Sequence, residues 1–395
     1  MIRRALLIAS LAALSGCAGL DAIQNAYQGI QDYFTGKDNA EPPEPLAEIT
    51  PQVRADKLWT ADIGDGYDEQ SINLGPAVDD SRVFAAERHG TVLAFNRLTG
   101  DKLWSVDHEM ELSAGPVFDD GELFLATAEG AIIVLNAADG ALVWKSTLAS
   151  EILSVPAVAD DVVVVRGANG HLTGLDRKSG ATRWYFERHA PPLAIRSRGA
   201  PIIAGDLVID GFGGGKVSAI QLKEGKLDWE ANVSLPHGRS EIERLVDLSA
   251  TPVVRSDSVF VSGYQGGTAS LGLNTGEVLW KRESISSPAG MTADRKELYV
   301  TDANADLWQL AVRNGEDQWK QAELHQRRLT APALVKDYLV VGDFEGYLHV
   351  LNKEDGRIVG RVQITDEPIE YPPVVYGDIV YVYATDGTLA AVTVE

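Results

Sequence analysis

The chain has 395 residues, 45% of them hydrophobic, a net charge of −22 and a single cysteine. The apolar fraction supports a large core, and one thiol excludes an internal disulfide or a cysteine metal site. The acidic surface repels phosphate backbones, so nucleic acid is not an expected ligand, and solubility alone accounts for such a charge.

Residues 1–16 read as an export signal, with Arg3 and Arg4 ahead of the apolar run Ala5 to Leu14. That run is too short to span a bilayer. Leu14-Ser15-Gly16-Cys17 has the form of a bacterial lipoprotein cleavage site, which makes Cys17 the expected lipid-bearing first residue. The alternative is an ordinary secretory signal with a chance cysteine. Loss of Arg3 and Arg4 with the signal takes the net charge to −24.

Residues 17–53 follow as a tether. Leu20, Ile23, Tyr27, Ile30 and Phe34 fall at helical spacing, but no Lys/Arg face accompanies them, and a marginal or disordered segment is the plainer reading. Glu41-Pro42-Pro43-Glu44-Pro45 then forms an extended spacer.

From residue 54 to 395 the chain repeats. Gly75 to Trp104 holds four short apolar runs parted by turns at Asp79-Asp80, His89-Gly90 and Thr99-Gly100, the pattern of a four-stranded antiparallel meander. Further copies end at Trp144, Trp184, Trp229, Trp280, Trp319 and Gly360. In six of the seven full copies a proline stands 28 positions before the closing residue, whereas Pro288 to Trp319 spans 31, and a longer first turn at Ala293 to Glu297 is the expected place for the excess. An eighth copy begins at Pro373 and stops at Glu395 before its last strand, while Asp56-Lys57-Leu58-Trp59 is a fourth strand with no body of its own. Pairing the two removes an open edge, so the expected fold is all-β, an eight-bladed β-propeller whose last blade is closed by the N-terminal strand.

The distance from each closing Trp to the next Pro is 12 for the first two full copies, then grows to 17 for Trp184 to Pro201 and 23 for Trp229 to Pro252. Insertions in repeat proteins often mark a binding face, and these two are neighbours. The first carries Leu193, Ile195 and Arg196; the second carries Arg244, Leu245 and Asp247, with Ser240 and Glu243 at capping-box spacing. Apolar groups beside Arg and Asp are an interface composition, although Leu193, Ile195 and Leu245 would equally serve by tucking into the ring mouth. Trp59 to Pro76 is also long at 17, but Gly64-Asp65-Gly66 and its acidic content suggest a plain solvated loop.

Other candidates are weaker. Gly211 to Lys216 looks like a phosphate loop but occupies the second turn of its repeat with no helix after it, so a hairpin is expected. The seven histidines are scattered, with no pair at metal-ligand spacing, and no Ser-His-Asp or carboxylate pair stands out. No cofactor or metal is expected. The repeated Asp, Gly and Trp are explained by turns and by wedging between blades.

The form Leu135-Asn136, Asp139-Gly140, Trp144 resembles the quinoprotein-type propeller repeat. The lipoprotein signal, the eight repeats, Leu193-Ala194-Ile195-Arg196-Ser197, Glu241 to Asp247 and Val340 to His349 together resemble the BamB family of propeller lipoproteins. The resemblance implies a non-enzymatic member of the outer-membrane β-barrel assembly machinery, the BAM complex, lipid-anchored and facing the periplasm. It implies a partner, BamA, bound through its POTRA domains, with contact roles for Leu193, Ile195, Arg196 and Asp247, and for Arg244 within the matching run. Ala18 after the cysteine resembles the outer-membrane sorting pattern. Ile195 and Ser249 depart from the family's Leu-x-Leu-Arg and Asp-x-Asp patterns. Unfolded outer-membrane proteins are further candidate partners, through strand addition at blade edges. A polysaccharide-binding propeller and a quinone-cofactor dehydrogenase are the rival readings, the latter set back by the lack of a cysteine pair.

Overall fold

In a computed structural model, the residues described are 41–68, 70–188, 198–236, 239–240, 243–248 and 250–395. Pro43–Glu395 forms one compact unit. Its strands assemble into eight sheets, seven of four strands and one of five. We number the blades in chain order: 1 (Ala77–Asp107), 2 (Leu112–Thr147), 3 (Ala157–Phe186), 4 (Ile202–Asn232), 5 (Val253–Arg282), 6 (Gly290–Gln321), 7 (Ala333–Gln363) and 8 (Val374–Val394 with Ala55–Asp62).

Each blade follows the same logic. The second and third strands are covered on both faces by neighbouring blades and are therefore almost continuously apolar, as Val162–Arg166 and Ala131–Asn136 are. The outermost strand has one wet face, so Thr182–Phe186 buries Trp184 and exposes its flanks. In all eight outer strands the pairing register slips at the residue before the Trp or its equivalent, as between Leu142 and Trp144. Such a bulge re-aims the side chain that follows it.

The ring closes as the repeat count requires. Ala55–Asp62 pairs antiparallel with Thr388–Val394, with Trp59 opposite Ala391. Seven seams carry an indole whose Nε1 donates to a backbone carbonyl of the following blade, from Trp59 to Arg97 at 3.0 Å through Trp319 to Lys353 at 3.1 Å. Each indole rests on the glycine that ends the last turn of that blade: Gly100, Gly140, Gly180, Gly225, Gly276, Gly315 and Gly356. The glycines have φ between +67° and +74°, and a Cβ there would come within 2.5–2.8 Å of the indole.

The eighth seam has no such turn, because the chain is cut there. Gly360 stands in place of the tryptophan, and the N-terminal segment fills the space. The amides of Gln52 and Val53 donate to Val359 O at 2.8 and 3.1 Å, and Val53 is buried in the cluster between blades 7 and 8. Glu44 N donates to His325 O, Leu46 packs on the blade 6–7 cluster, and Arg327 and Arg361 hold the carbonyls of Glu44 and Ala47. Residues 44–53, which belong to the expected tether, thus form a strap along blade 7.

Two expectations are corrected. The excess in blade 6 is not in its first turn. Asp294 N donates to Glu297 O at 2.9 Å, just as Asp79 N donates to Arg82 O in blade 1, so the turn has its usual size and the extra residues lie between Pro288 and Asp294. Nor is the connection from Trp59 to Pro76 a plain solvated loop. Ile63, Tyr67, Ile72 and Leu74 are buried, and Asn73–Leu74 adds a parallel strand to blade 2. Four apolar anchors outweigh the acidic residues between them. Gly211 to Lys216 forms a hairpin, as expected.

Candidate functional site

In a four-stranded meander the second turn and the exit to the next blade lie at the same end, so both enlarged connections stand on one face of the ring. The second, between blades 4 and 5, begins with a capping box. Glu243 N donates to Ser240 Oγ at 3.2 Å, and Ser240 N and Arg239 N donate to the Glu243 carboxylate at 3.2 and 2.7 Å. These amides hold the Glu243 carboxyl below its usual range. Arg244 follows, exposed to solvent.

The chain then dives inward, and Val246, Asp247 and Leu248 are buried. Gly214 N donates to Val246 O at 2.7 Å and Asp247 N to Tyr264 O at 3.0 Å, stitching the segment between the second turns of blades 4 and 5. Gly211 and Gly263 make this approach possible, since a Cβ on either would meet a carbonyl oxygen of the segment at 1.9 Å. Arg244 and Asp247 therefore differ in kind: the first is presented to solvent, while the second, 2% exposed, is part of the seat.

Of the first connection, Leu193, Ile195 and Arg196 lie outside the described residues, as do Cys17 and Ser249. Its far end is described. Arg198 donates to Ile72 O at 2.9 Å and to the Glu370 carboxylate at 2.8 Å, while Asn73 Nδ2 donates to Arg198 O at 3.0 Å. A connection that leaves blade 3 thus ties down beside the chain entering blades 1 and 8. Under it lies a cavity of about 240 Å3, lined by Ile72, Leu112, Leu153, Arg88, Glu111 and Arg198. That is smaller than the roughly 300–1,000 Å3 of a small-molecule site.

Two buried polar clusters escaped the sequence reading. At the root of the first connection, Arg166 and Arg188 both bind Asp210, which is fully buried. On blade 7, Asp343 accepts from Arg327 Nε at 2.8 Å and pairs with His349 Nε2 at 2.9 Å, while Arg361 Nε donates to His349 Nδ1 at 3.1 Å. Burial pushes the His349 pKa down, so the neutral ring accepts from Arg361 and donates to Asp343. A charged residue after an apolar strand, such as Arg166 after Val162 to Val165, was the available signal. Among the described residues no group of His, Cys, Asp and Glu is placed to hold a metal ion.

Comparison with known proteins fits this architecture. A family model described as outer membrane protein assembly factor BamB matches residues 88–321 and 322–395. The BamB of Alkalilimnicola ehrlichii is 49% identical over 346 residues, covering 88% of this chain and 90% of its own. The crystal structure of BamB from Moraxella catarrhalis superposes with a TM-score of 0.77 at 25% identity, over 86% of this chain and all of that one. A europium-containing methanol dehydrogenase shares the fold alone, with a TM-score of 0.70 at 13% identity over 86% of this chain and 93% of that one. By its family match and its near-full-length relatives, this protein belongs to the BamB family of outer membrane protein assembly factors.

Proposed function

We propose that the ring is a non-enzymatic scaffold of the outer-membrane protein assembly machinery, docking on the periplasmic POTRA domains of BamA through the connections between blades 3 and 4 and blades 4 and 5. The observation that carries this reading is the pairing of two enlarged connections on one face, one of them presenting Arg244 from a capped turn that is sewn into the ring by Val246 to Leu248. A rigid seat lowers the ordering cost of binding. Leu193, Ile195 and Arg196 supply the other half of the contact, and Cys17 carries the lipid that holds the protein at the outer membrane, facing the periplasm. The ring then helps BamA receive unfolded barrel precursors.

The test is a pull-down of purified ring with the periplasmic region of BamA. Arg196→Ala and Arg244→Glu are expected to weaken capture without changing the melting temperature. Full capture by both variants would remove the connections from the interface, and capture by peptidoglycan instead would favour a polysaccharide-binding role.

A further inference from the structure

The strap is fastened to blade 7 by two kinds of bond. Toward its C-terminal end, Gln52 N and Val53 N donate to Val359 O, and Val53 is buried. Toward its N-terminal end Glu44 N donates to His325 O, and the strap's own carbonyls are taken by side chains: Arg327 Nη1 donates to Glu44 O at 3.2 Å and Arg361 Nη1 to Ala47 O at 3.3 Å. Glu44, Pro45, Ala47 and Glu48 are exposed and Leu46 is only partly buried, so the two guanidinium groups are a large share of what holds this half.

Both arginines lead to His349, which is fully buried. Arg361 Nε donates to His349 Nδ1 at 3.1 Å, and Asp343 is shared between Arg327 Nε at 2.8 Å and His349 Nε2 at 2.9 Å. The groups around the ring come from four places: Asp343 and Glu345 from the second turn of blade 7, Arg327 from the connection between blades 6 and 7, Arg361 from the outer strand, and Tyr347 from the histidine's own strand, with its ring 6.1 Å away. Arg327 holds Glu345, and Glu323 acts on Arg361 only at long range. His325, in the same connection as Arg327, is turned to Asp306 at 2.7 Å. Nδ1 has one lone pair, so it either accepts from Arg361 or carries a proton. A proton there removes the acceptor of Arg361 Nε and sets a cation beside two guanidinium groups.

We infer that His349 is a proton-operated clasp for the strap: protonation of Nδ1 turns Arg361 away, releases Ala47 O and lets residues 44–50 lift from blade 7 while the ring stays closed. Closure survives because Val53 and the pairing of Ala55–Asp62 with Thr388–Val394 lie beyond the lifted stretch. Burial lowers the His349 pKa, Asp343 opposes that fall, and Arg361 and Arg327 add to it. Lifting admits water and returns the ring to its ordinary 6.5, so the lifted form takes the proton more readily than the fastened one. Fastening is therefore complete above pH 6.5 and weakens below it, the opening constant rising by at most about tenfold per pH unit for one proton. Asp343, held below its ordinary 3.8, stays ionised throughout that range.

The experiment is cleavage of the full chain after Glu48 by a glutamyl endopeptidase at pH 7.5 and 5.5, each rate divided by that for a free peptide of residues 41–53 at the same pH. The wild-type ratio is expected to rise several-fold on acidification with tryptophan fluorescence unchanged. His349→Gln, whose amide still accepts from Arg361 and donates to Asp343 but takes no proton, is expected to stay at the pH 7.5 value, and Arg361→Ala to be cut fast at both. A flat wild-type ratio overturns the clasp. So does an equal rise in His349→Gln, which would point to His325, and so does a rise accompanied by a fluorescence change, which would mean that the whole ring responds. If His349→Gln does not fold, Arg361→Ala decides: cleavage at the wild-type rate with the wild-type pH dependence overturns the clasp, and fast cleavage at both values supports it.

Discussion

The indole of Trp59 rests on Gly100 of the neighbouring blade and donates to Arg97 O at 3.0 Å, so one side chain both fills the seam and satisfies its own polar atom. Because Trp59 lies in the N-terminal strand, this contact also ties the closing strand of blade 8 to blade 1. Trp59→Ala is expected to cost about 3–5 kcal/mol in denaturant unfolding, the range for emptying a large aromatic site. Gly100→Ala adds backbone strain of about 1–3 kcal/mol at φ +74°, on top of the clash with the indole. A loss below 1 kcal/mol in both variants would mean that the seam relaxes freely.

The two connection residues described should part company. Arg244→Ala is expected to leave the melting temperature unchanged and to lower partner affinity. Asp247→Ala is expected to lower both, losing about 1–3 kcal/mol of stability, because the residue is buried between the turns of blades 4 and 5. Thermal melts beside pull-downs distinguish the exposed contact from the seat.

Arg198 and Glu370 should couple only weakly, since their side chains are 35% and 40% exposed. A double-mutant cycle is expected to return at most about 1 kcal/mol. The larger effect of Arg198→Ala should be faster hydrogen exchange around Ile72, whose carbonyl loses its donor across the ring mouth, while Asn73 keeps its bond to the backbone carbonyl of residue 198.

Acid should loosen blade 7. Burial lowers the pKa of His349 beneath its ordinary 6.5, and the groups facing it are Asp343, Arg327 and Arg361. The unfolded chain therefore binds the proton more readily than the folded ring. The His349 contribution is complete above pH 6.5 and is lost as pH falls below it. Asp343 adds to the trend at lower pH. Its burial raises its pKa, but the bonds from His349 and Arg327 prevail and hold it below its ordinary 3.8, so this second contribution fades as pH drops under that value. Stability measured from pH 8 to 5 should decline, and His349→Gln should flatten the slope.

The ring itself was legible because its signal is periodic: each closing tryptophan marks a seam, and the unmatched Asp56 to Trp59 could only complete the truncated eighth blade. What periodicity does not encode was missed. The passage from Trp59 to Pro76 looked wet because Asp62, Asp65, Asp68 and Glu69 are interleaved with glycines and break any apolar period, whereas Ile63, Tyr67, Ile72 and Leu74 turn inward together only in three dimensions. The burial of Asp210 under Arg166 and Arg188 joins three strands or connections, and no local pattern announces it. The strap went unread because its hydrogen bonds run from backbone amides to Val359 O, and any sequence without proline at Gln52 and Val53 offers those donors.

Gly360 has one more consequence. Where the chain is cut decides which part of the rim holds the strap, and the cut lies in blade 8, four blades beyond blade 4. A circular permutant with Glu395 joined to Arg54 through an Asp-Gly turn, and with Gly360→Trp, would regain an indole at every junction. Its new termini could then be opened beside any blade, moving the N-terminal segment around the rim while the proposed docking face stayed where it is.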